Sequence, residues 1–161
     1  MREKILYFLE QDARIDINEL AVMLSADAEI VKKEVEAMID EQVICGFNTL
    51  INWDKTDRDF VTALIEVKVT PQRDEGFDRI AKRIFQFEEV TACYLMSGGF
   101  DLTVIIEGKS IKDVAFFVSN KLSILESVQG TATHFVLKKY KDHGVVIEKD
   151  NDKDGRMIVS P

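Results

Sequence analysis

The sequence predicts an α+β protein in which an N-terminal winged helix-turn-helix precedes a ferredoxin-like βαββαβ domain. Three observations support this fold class. Apolar residues recur at helical spacing through the first forty residues. Beyond residue 59 the pattern changes to strand-like and helix-like segments in alternation. Two adjacent glycines separate two apolar runs near the middle of the chain, which is typical of a β-hairpin.

The first helices follow from their apolar spacing and capping residues. Residues 2–10 have helical periodicity, and Asp16 with Glu19 forms a capping-box pattern that predicts the start of a second helix. Asp27 is the predicted N-cap of a third helix, which ends near residue 41. A tight turn between the last two helices makes a helix-turn-helix, and residues 43–51 predict a strand, the wing. Such modules either bind DNA or serve as plain packing units, and the pattern leaves both open.

The second domain is predicted from a change of hydrophobic period. The charged segment 52–59 reads as a linker, with Trp53 packing against one of the two modules. Strand, helix, strand, strand, helix, strand then follow, an order that places both helices on one face of an antiparallel sheet. The predicted elements are residues 60–70, 77–85, 90–96, 102–106, 111–125 and 128–140. The bare sheet face predicts at least a dimer.

The predicted hairpin loop, residues 97–101, is the candidate ligand site. It presents the backbone N–H groups of Ser97, Gly98 and Gly99 together with the carboxylate of Asp101. Glycines supply the positive φ of the primed hairpin turns, and successive N–H groups can bind an anion. These are the two contacts that the carboxylate and ammonium groups of a free amino acid need. A plain hairpin turn explains the same residues.

Charge is distributed unevenly along the chain, whose net charge is −8. Residues 1–47 hold five basic and eleven acidic side chains, a net charge of −6, whereas residues 48–141 are neutral with thirteen of each. Residues 142–161 hold three basic and five acidic side chains, a net charge of −2. An acidic N-terminal module argues against strong non-specific binding to phosphate backbones.

Several other classes of site are not expected. No apolar run reaches the ~18 residues of a membrane span and no signal segment opens the chain, so we expect a cytoplasmic protein. Residues 150–155 resemble the start of an EF-hand loop, but the twelfth position would be Pro161. No metal or other cofactor is expected, because the residues that could bind or react are isolated along the sequence: Cys45, Cys93, His134 and His143.

Two motifs resemble the Lrp/AsnC family of transcription regulators. They are V-x-x-x-Y-L-M-S-G-G-F-D over residues 90–101 and V-I-C-G-F over residues 43–47, and the resemblance extends over residues 1–141. It implies a DNA-binding domain over residues 1–51 and an ACT-like amino-acid-sensing and oligomerisation domain over residues 60–149. An acidic tail, residues 150–161, would follow.

The resemblance also implies functional residues. The effector-binding loop would hold the amino acid at an interface between subunits, with two threonines of the last strand nearby. The residues implied are Ser97, Gly98, Gly99, Asp101, Thr131 and Thr133. The protein would act as an amino-acid-responsive regulator that assembles as a homodimer or a larger oligomer such as an octamer.

The third helix departs from the family pattern. Asp27 replaces the usual Ser or Thr cap, and Lys32 and Lys33 are followed by Glu34, which interrupts the usual basic run. Gln42 stands where a glycine usually closes the helix. Lys32 and Lys33 are therefore the expected DNA contacts, among carboxylates that include Glu29 and Glu36. Duplex DNA should bind weakly to each subunit and depend on several subunits acting together.

Two alternative functions remain at this point. In one, the acidic helical module contacts protein instead of DNA. In the other, the chain is an enzyme, since the architecture also resembles siroheme decarboxylases. Those carry histidine and arginine around the central hairpin, whereas residues 91–102 contain no His, Arg or Lys. No enzymatic activity is therefore expected.

Overall fold

A computed structural model describes residues 1–70 and 76–147. The chain divides into two compact units, Met1–Leu50 and Ile51–Pro161. The predicted acidic tail, with its EF-hand-like segment, lies outside the described residues.

Unit 1 is a three-helix module built from α1 (Arg2–Gln11), α2 (Ile17–Leu24) and α3 (Ala28–Asp40). Both predicted N-caps are confirmed, because the Asp16 and Asp27 carboxylates accept backbone N–H groups from the first turns of α2 and α3. One face of each helix supplies the core: Ile5, Leu20, Ala21, Val31, Val35 and Met38.

Left-handed residues end both helices of the helix-turn-helix. Ser25 follows α2 with φ 52°, and Gln42 follows α3 with φ 59°. Behind Gln42, the N–H of Val43 donates to the Met38 carbonyl at 2.8 Å. This is a Schellman arrangement, whose left-handed position glycine fills without steric cost. Gln42 thus keeps the usual geometry of the helix end with an unfavourable residue.

The strand predicted over residues 43–51 is not observed. Among the described residues this segment pairs with no strand. Its first N–H groups turn back onto α3, since Val43 and Ile44 both donate to the Met38 carbonyl. A strand requires a partner to accept its backbone hydrogen bonds, and within unit 1 none is available. The strand prediction for residues 43–51 was therefore wrong.

Unit 2 has the predicted βαββαβ order. Its elements are β1 (Val61–Val69), α4 (Asp78–Phe85), β2 (Val90–Leu95), β3 (Leu102–Gly108), α5 (Ile111–Phe117) and β4 (Val128–Phe135). The strands form one antiparallel sheet in the order β2-β3-β1-β4. A π-helical turn, Val118–Leu122, continues α5.

The core of unit 2 lies between the sheet and its two helices. Alternate side chains of β1 and β3 are buried against α4 and α5, including Ile65 and Val104. Phe117 is 1% exposed in this core, whereas its neighbour Phe116 is 63% exposed. The two rings lie on different faces because successive residues of an α-helix are about 100° apart around its axis.

The end of the sheet and the segment before it differ in detail from the predictions. The last strand ends at Phe135 instead of residue 140, and a short hairpin follows, Lys141–Asp142 with Val145–Val146. Ahead of β1, the Trp53 ring packs on Phe60 with a centroid distance of 5.5 Å. Trp53 therefore belongs to the hydrophobic packing of unit 2.

None of the helices in the described parts of the chain is long and apolar enough to cross a membrane.

Replacing Gln42 with glycine should stabilise unit 1. The substitution removes the backbone strain of a left-handed non-glycine residue, which raises the free energy of unfolding. Glycine also increases the conformational entropy of the unfolded chain, which offsets part of this increase. We expect a net increase of about 0.5–1 kcal/mol in the free energy of unfolding, measured by chemical denaturation. Gln42→Ala is the matched control, because it keeps the strain and should give no increase. An equal gain from both variants would contradict the assignment.

Candidate DNA-binding helix and ligand loop

Lys32 and Lys33 lie on the outer surface of α3. The inward face is fixed by Val31, Val35 and Met38, which are buried in the core of unit 1. The two lysines fall outside this stripe, and both are exposed. They are therefore available to phosphate groups, as the sequence predicted for a recognition helix.

Carboxylates share this outer surface. Glu29 and Glu36 are exposed, one helical turn before Lys33 and one turn after Lys32 respectively. Opposite charges at this spacing attract, so each lysine carries a nearby counter-charge. The exposed face of α3 is consequently mixed in sign.

Glu34 does not belong to the lysine face. Its carboxylate accepts a hydrogen bond from Arg2 Nε at 2.7 Å, and the same guanidinium donates to Glu41 Oε2 at 2.6 Å. The bond with Arg2 holds the pKa of Glu41 below its usual range. Arg2 thus ties the start of α1 to α3, so Glu34 serves the packing of the module. Glu34 interrupts the basic run in the sequence, and in the structure its carboxylate is engaged with Arg2.

The β2–β3 loop leaves a row of backbone N–H groups unpaired. Met96 N–H donates to the Asp101 carbonyl at 2.8 Å and closes the loop. Within the described residues, the four N–H groups of residues 97–100 have no hydrogen-bond acceptor. Neither Gly98 nor Gly99 has a positive φ, so the predicted primed turn is wrong and the connection is a wider loop. Its row of N–H groups is nonetheless available to an anion.

Asp101 fastens the loop to the end of β1. Its Oδ2 accepts the Val69 N–H at 2.9 Å, and its own N–H donates to the Val67 carbonyl at 3.1 Å. Asp101 therefore has a structural role that the sequence did not reveal. Its second oxygen, Oδ1, is the one left to receive an ammonium group.

Lys68 contacts the candidate loop and was not predicted from the sequence. Its Nζ donates to the Gly99 carbonyl at 2.9 Å, which brings a positive charge into contact with the loop. In sequence, Lys68 is one polar residue in an alternating strand, with nothing to link it to a loop thirty residues later. Only the pairing of β1 with β3 brings the two together.

The two threonines lie across β1 from the loop. Thr131 pairs with Val67 and Thr133 with Ile65, so both share the helix-covered side of the sheet. Since Asp101 bonds to Val67 from the opposite edge, the backbones of Asp101 and Thr131 are two strand spacings apart, roughly 10 Å. Thr131 thus flanks the same end of β1 as the loop, and Thr133 lies two residues further along.

The sheet face opposite the helices carries a mixed set of side chains. Leu64 and Tyr94 lie on it, together with His134, whose Nε2 is 3.6 Å from Glu66 Oε1. Threonines at positions 62 and 103 are already buried there by their neighbours. This face combines apolar area with polar groups that need partners when they are covered.

Comparison with known proteins decides the family. The model of the Lrp/AsnC ligand-binding domain matches residues 62–146. The chain belongs to the Lrp/AsnC family. The HTH-type transcriptional regulator YugG of Bacillus subtilis is 48% identical over 159 residues, covering 98% of this chain and 95% of that protein.

Solved structures share the fold. The leucine response regulatory protein of Mycobacterium tuberculosis has a TM-score of 0.74 at 18% identity, covering 91% of this chain and 97% of that one. A Neisseria meningitidis transcriptional regulator, solved with L-methionine, has a TM-score of 0.70 at 20% identity, covering 88% and 91%. The predicted family and fold class are confirmed.

Membership of the Lrp/AsnC family establishes a DNA-binding transcriptional regulator. The prediction that the protein is not an enzyme is also confirmed, because its relatives are regulators of transcription. The decarboxylase alternative is therefore discarded.

Asp101→Ala should destabilise unit 2. The Val69 N–H, on a residue only 6% exposed, would lose its acceptor, at a cost of about 1–3 kcal/mol in the free energy of unfolding. Asp101→Asn keeps an oxygen acceptor and should lose less. Gly98→Ala is the control in the same loop, because its Cβ would meet no atom within 4 Å. Equal stability of the Asp101→Ala variant and the wild type, measured by urea denaturation, would contradict the role of Asp101.

Proposed function

We propose that this regulator responds to a free amino acid bound at the β2–β3 loop. The observation that supports this proposal is the row of N–H groups over residues 97–100 that have no acceptor among the described residues, in a loop that also holds a carboxylate and contacts an ammonium group. The cation is Lys68 Nζ, 2.9 Å from the Gly99 carbonyl, and the carboxylate is Asp101. A zwitterion requires both signs of charge at close range.

Each end of the ligand has a partner in this arrangement. The α-carboxylate accepts hydrogen bonds from the N–H groups of Ser97, Gly98 and Gly99 and faces Lys68. The α-ammonium donates to Asp101 Oδ1. The methionine bound to the Neisseria meningitidis relative supports a ligand of this class.

Thr131 and Thr133 complete the proposed site from a second element. Both lie on β4, across β1 from the loop. Within one subunit they are therefore separated from the loop groups that would bind the amino acid. We propose that an interface between subunits brings such a strand and loop together, as the family resemblance implies. No cofactor takes part.

The proposed assembly begins with a homodimer that pairs the open sheet faces. Leu64 and Tyr94 supply apolar area, and Glu66 and His134 supply polar groups that find partners across the interface. Dimers would associate further, in the manner of an octamer, and would place several recognition helices along one duplex. Effector binding between subunits then alters the arrangement of those helices.

DNA binding is proposed to rely on Lys32 and Lys33. The N-terminal residues 1–47 carry a net charge of −6, so each subunit contributes little non-specific attraction. Useful affinity comes from several subunits that bind the same DNA segment. The same acidic charge favours one competing function, a module that docks onto a basic protein.

Lys68→Gln should weaken amino acid binding in isothermal titration calorimetry. Loss of a charged hydrogen-bonding partner costs about 1.5–3 kcal/mol, so the dissociation constant should rise roughly ten- to a hundredfold. Lys68 is exposed, and the variant should fold normally. Lys112→Gln, an exposed lysine of α5, is the control and should bind as the wild type does. Unchanged affinity in Lys68→Gln for every amino acid that the wild type binds would refute the proposed site.

Replacing both Lys32 and Lys33 with glutamine should flatten the salt dependence of DNA binding. Each phosphate contact contributes about 0.9 to the slope of log affinity against log salt, so the slope should fall by about 1.8 for each subunit bound. Lys4→Gln, on the exposed side of α1, is the control. A double variant with the same salt slope as the wild type would contradict the role of Lys32 and Lys33. A wild type that shifts no promoter DNA at low salt would favour the protein-docking alternative.

A further inference from the structure

We propose that Glu29 is a base-reading residue whose carboxylate accepts a hydrogen bond from the exocyclic amino group of a cytosine in the major groove. This inference rests on DNA binding through α3. It assigns a specific base to a side chain that otherwise only weakens attraction to phosphate.

The position of Glu29 fits a base contact. Recognition helices of helix-turn-helix proteins address base edges with their N-terminal residues. α3 begins at Ala28, so Glu29 lies in its first turn, and its side chain is exposed. The neighbouring Asp27 is already used, since its Oδ1 accepts the N–H groups of Glu29 and Ile30 at 2.9 and 3.4 Å. Glu29 is thus the acid of this turn that is available to DNA.

The chemistry of a carboxylate selects cytosine. An ionised carboxylate only accepts hydrogen bonds, and the major groove offers two kinds of donor, the N4 amino group of cytosine and the N6 amino group of adenine. Adenine places its N7 acceptor beside N6, which suits the amide of Asn or Gln and repels a second carboxylate oxygen. Cytosine has no acceptor beside N4 on its own edge. Guanine and thymine present acceptors that would repel Glu29.

Lys33 offsets the repulsion expected between the Glu29 carboxylate and the DNA phosphates. It lies four residues after Glu29 on the same exposed face, where opposite charges attract along a helix. The ammonium group reduces the repulsion between Glu29 and the phosphates while remaining free to donate to a guanine edge or a phosphate. The pair therefore presents an acceptor and a donor one helical turn apart.

A purely structural role for Glu29 makes a different prediction. An acid in the first turn also stabilises a helix through its dipole, by about 0.3–1 kcal/mol. That role would affect helix stability and leave base preference unchanged. Base preference therefore separates the two roles, whereas overall affinity does not.

The test is selection of bound sequences from a random duplex library by the full-length wild type, Glu29→Gln and Glu36→Gln. The wild type should enrich cytosine at one fixed position of each half-site. Glu29→Gln should lose that preference and discriminate about tenfold less between cytosine and thymine there. Glu36→Gln removes the same charge from the same face, and it should retain the cytosine preference while binding all sequences more tightly.

Two results would overturn the assignment. One is a Glu29→Gln variant that enriches the same bases as the wild type, and the other is a wild type that binds DNA without selecting cytosine. A wild type that retains no DNA from the library would instead overturn DNA binding through α3, and with it this inference.

Discussion

Strand β1 is the element on which unit 2 depends, because it is hydrogen-bonded along both edges. It pairs with β3 on one side and β4 on the other, and its buried side chains form the middle of the core. Its last residues also hold the ligand loop, through the Val67 carbonyl, the Val69 N–H and the Lys68 ammonium group. The same strand therefore supports the fold and positions the proposed effector groups.

This arrangement explains how the loop keeps its place although its N–H groups have no acceptor among the described residues. Asp101 anchors one end of the loop, and Met96 closes it, so the residues between them need no internal hydrogen bonds to stay in place. Exposed N–H groups held by anchors on either side are prepared for an anion without a further ordering cost. Asp101 consequently stabilises the loop, and in the proposed site it also binds the ligand.

The helical module carries many acidic side chains although it belongs to a DNA-binding protein. Its acids are divided by position: Glu34 and Glu41 hold Arg2 and fasten α1 to α3, Asp16 and Asp27 cap helices, and Glu29 and Glu36 face outward. Four of the eleven acidic side chains in residues 1–47 thus help to hold the module together. What remains on the exposed face of α3 is a short alternation of signs, suited to selective contact more than to strong attraction.

Most of the fold follows from local patterns, and the errors arise where a partner decides the outcome. The caps at Asp16 and Asp27 and the core faces of β1 and α3 depend on neighbours in sequence, so their periodicity was sufficient. Residues 43–51 are rich in apolar residues and were predicted to form a strand, yet among the described residues no strand pairs with them.

The candidate site shows the same division. The Gly-Gly loop and Asp101 were recognisable from the sequence, but the contact of Lys68 with Gly99 depends on strand pairing across 31 positions. The backbone angles of the two glycines and the hydrogen bond between Asp101 and Val69 could not be predicted from local sequence either. Both depend on how β1 and β3 pair in the folded domain.

Native mass spectrometry of the full-length protein with a panel of amino acids tests the central claim most directly. It reports subunit number and bound ligand in one spectrum. The account predicts an assembly of at least two subunits that retains one particular amino acid, with up to one molecule for each subunit. A monomer that retains no amino acid from the panel would contradict it.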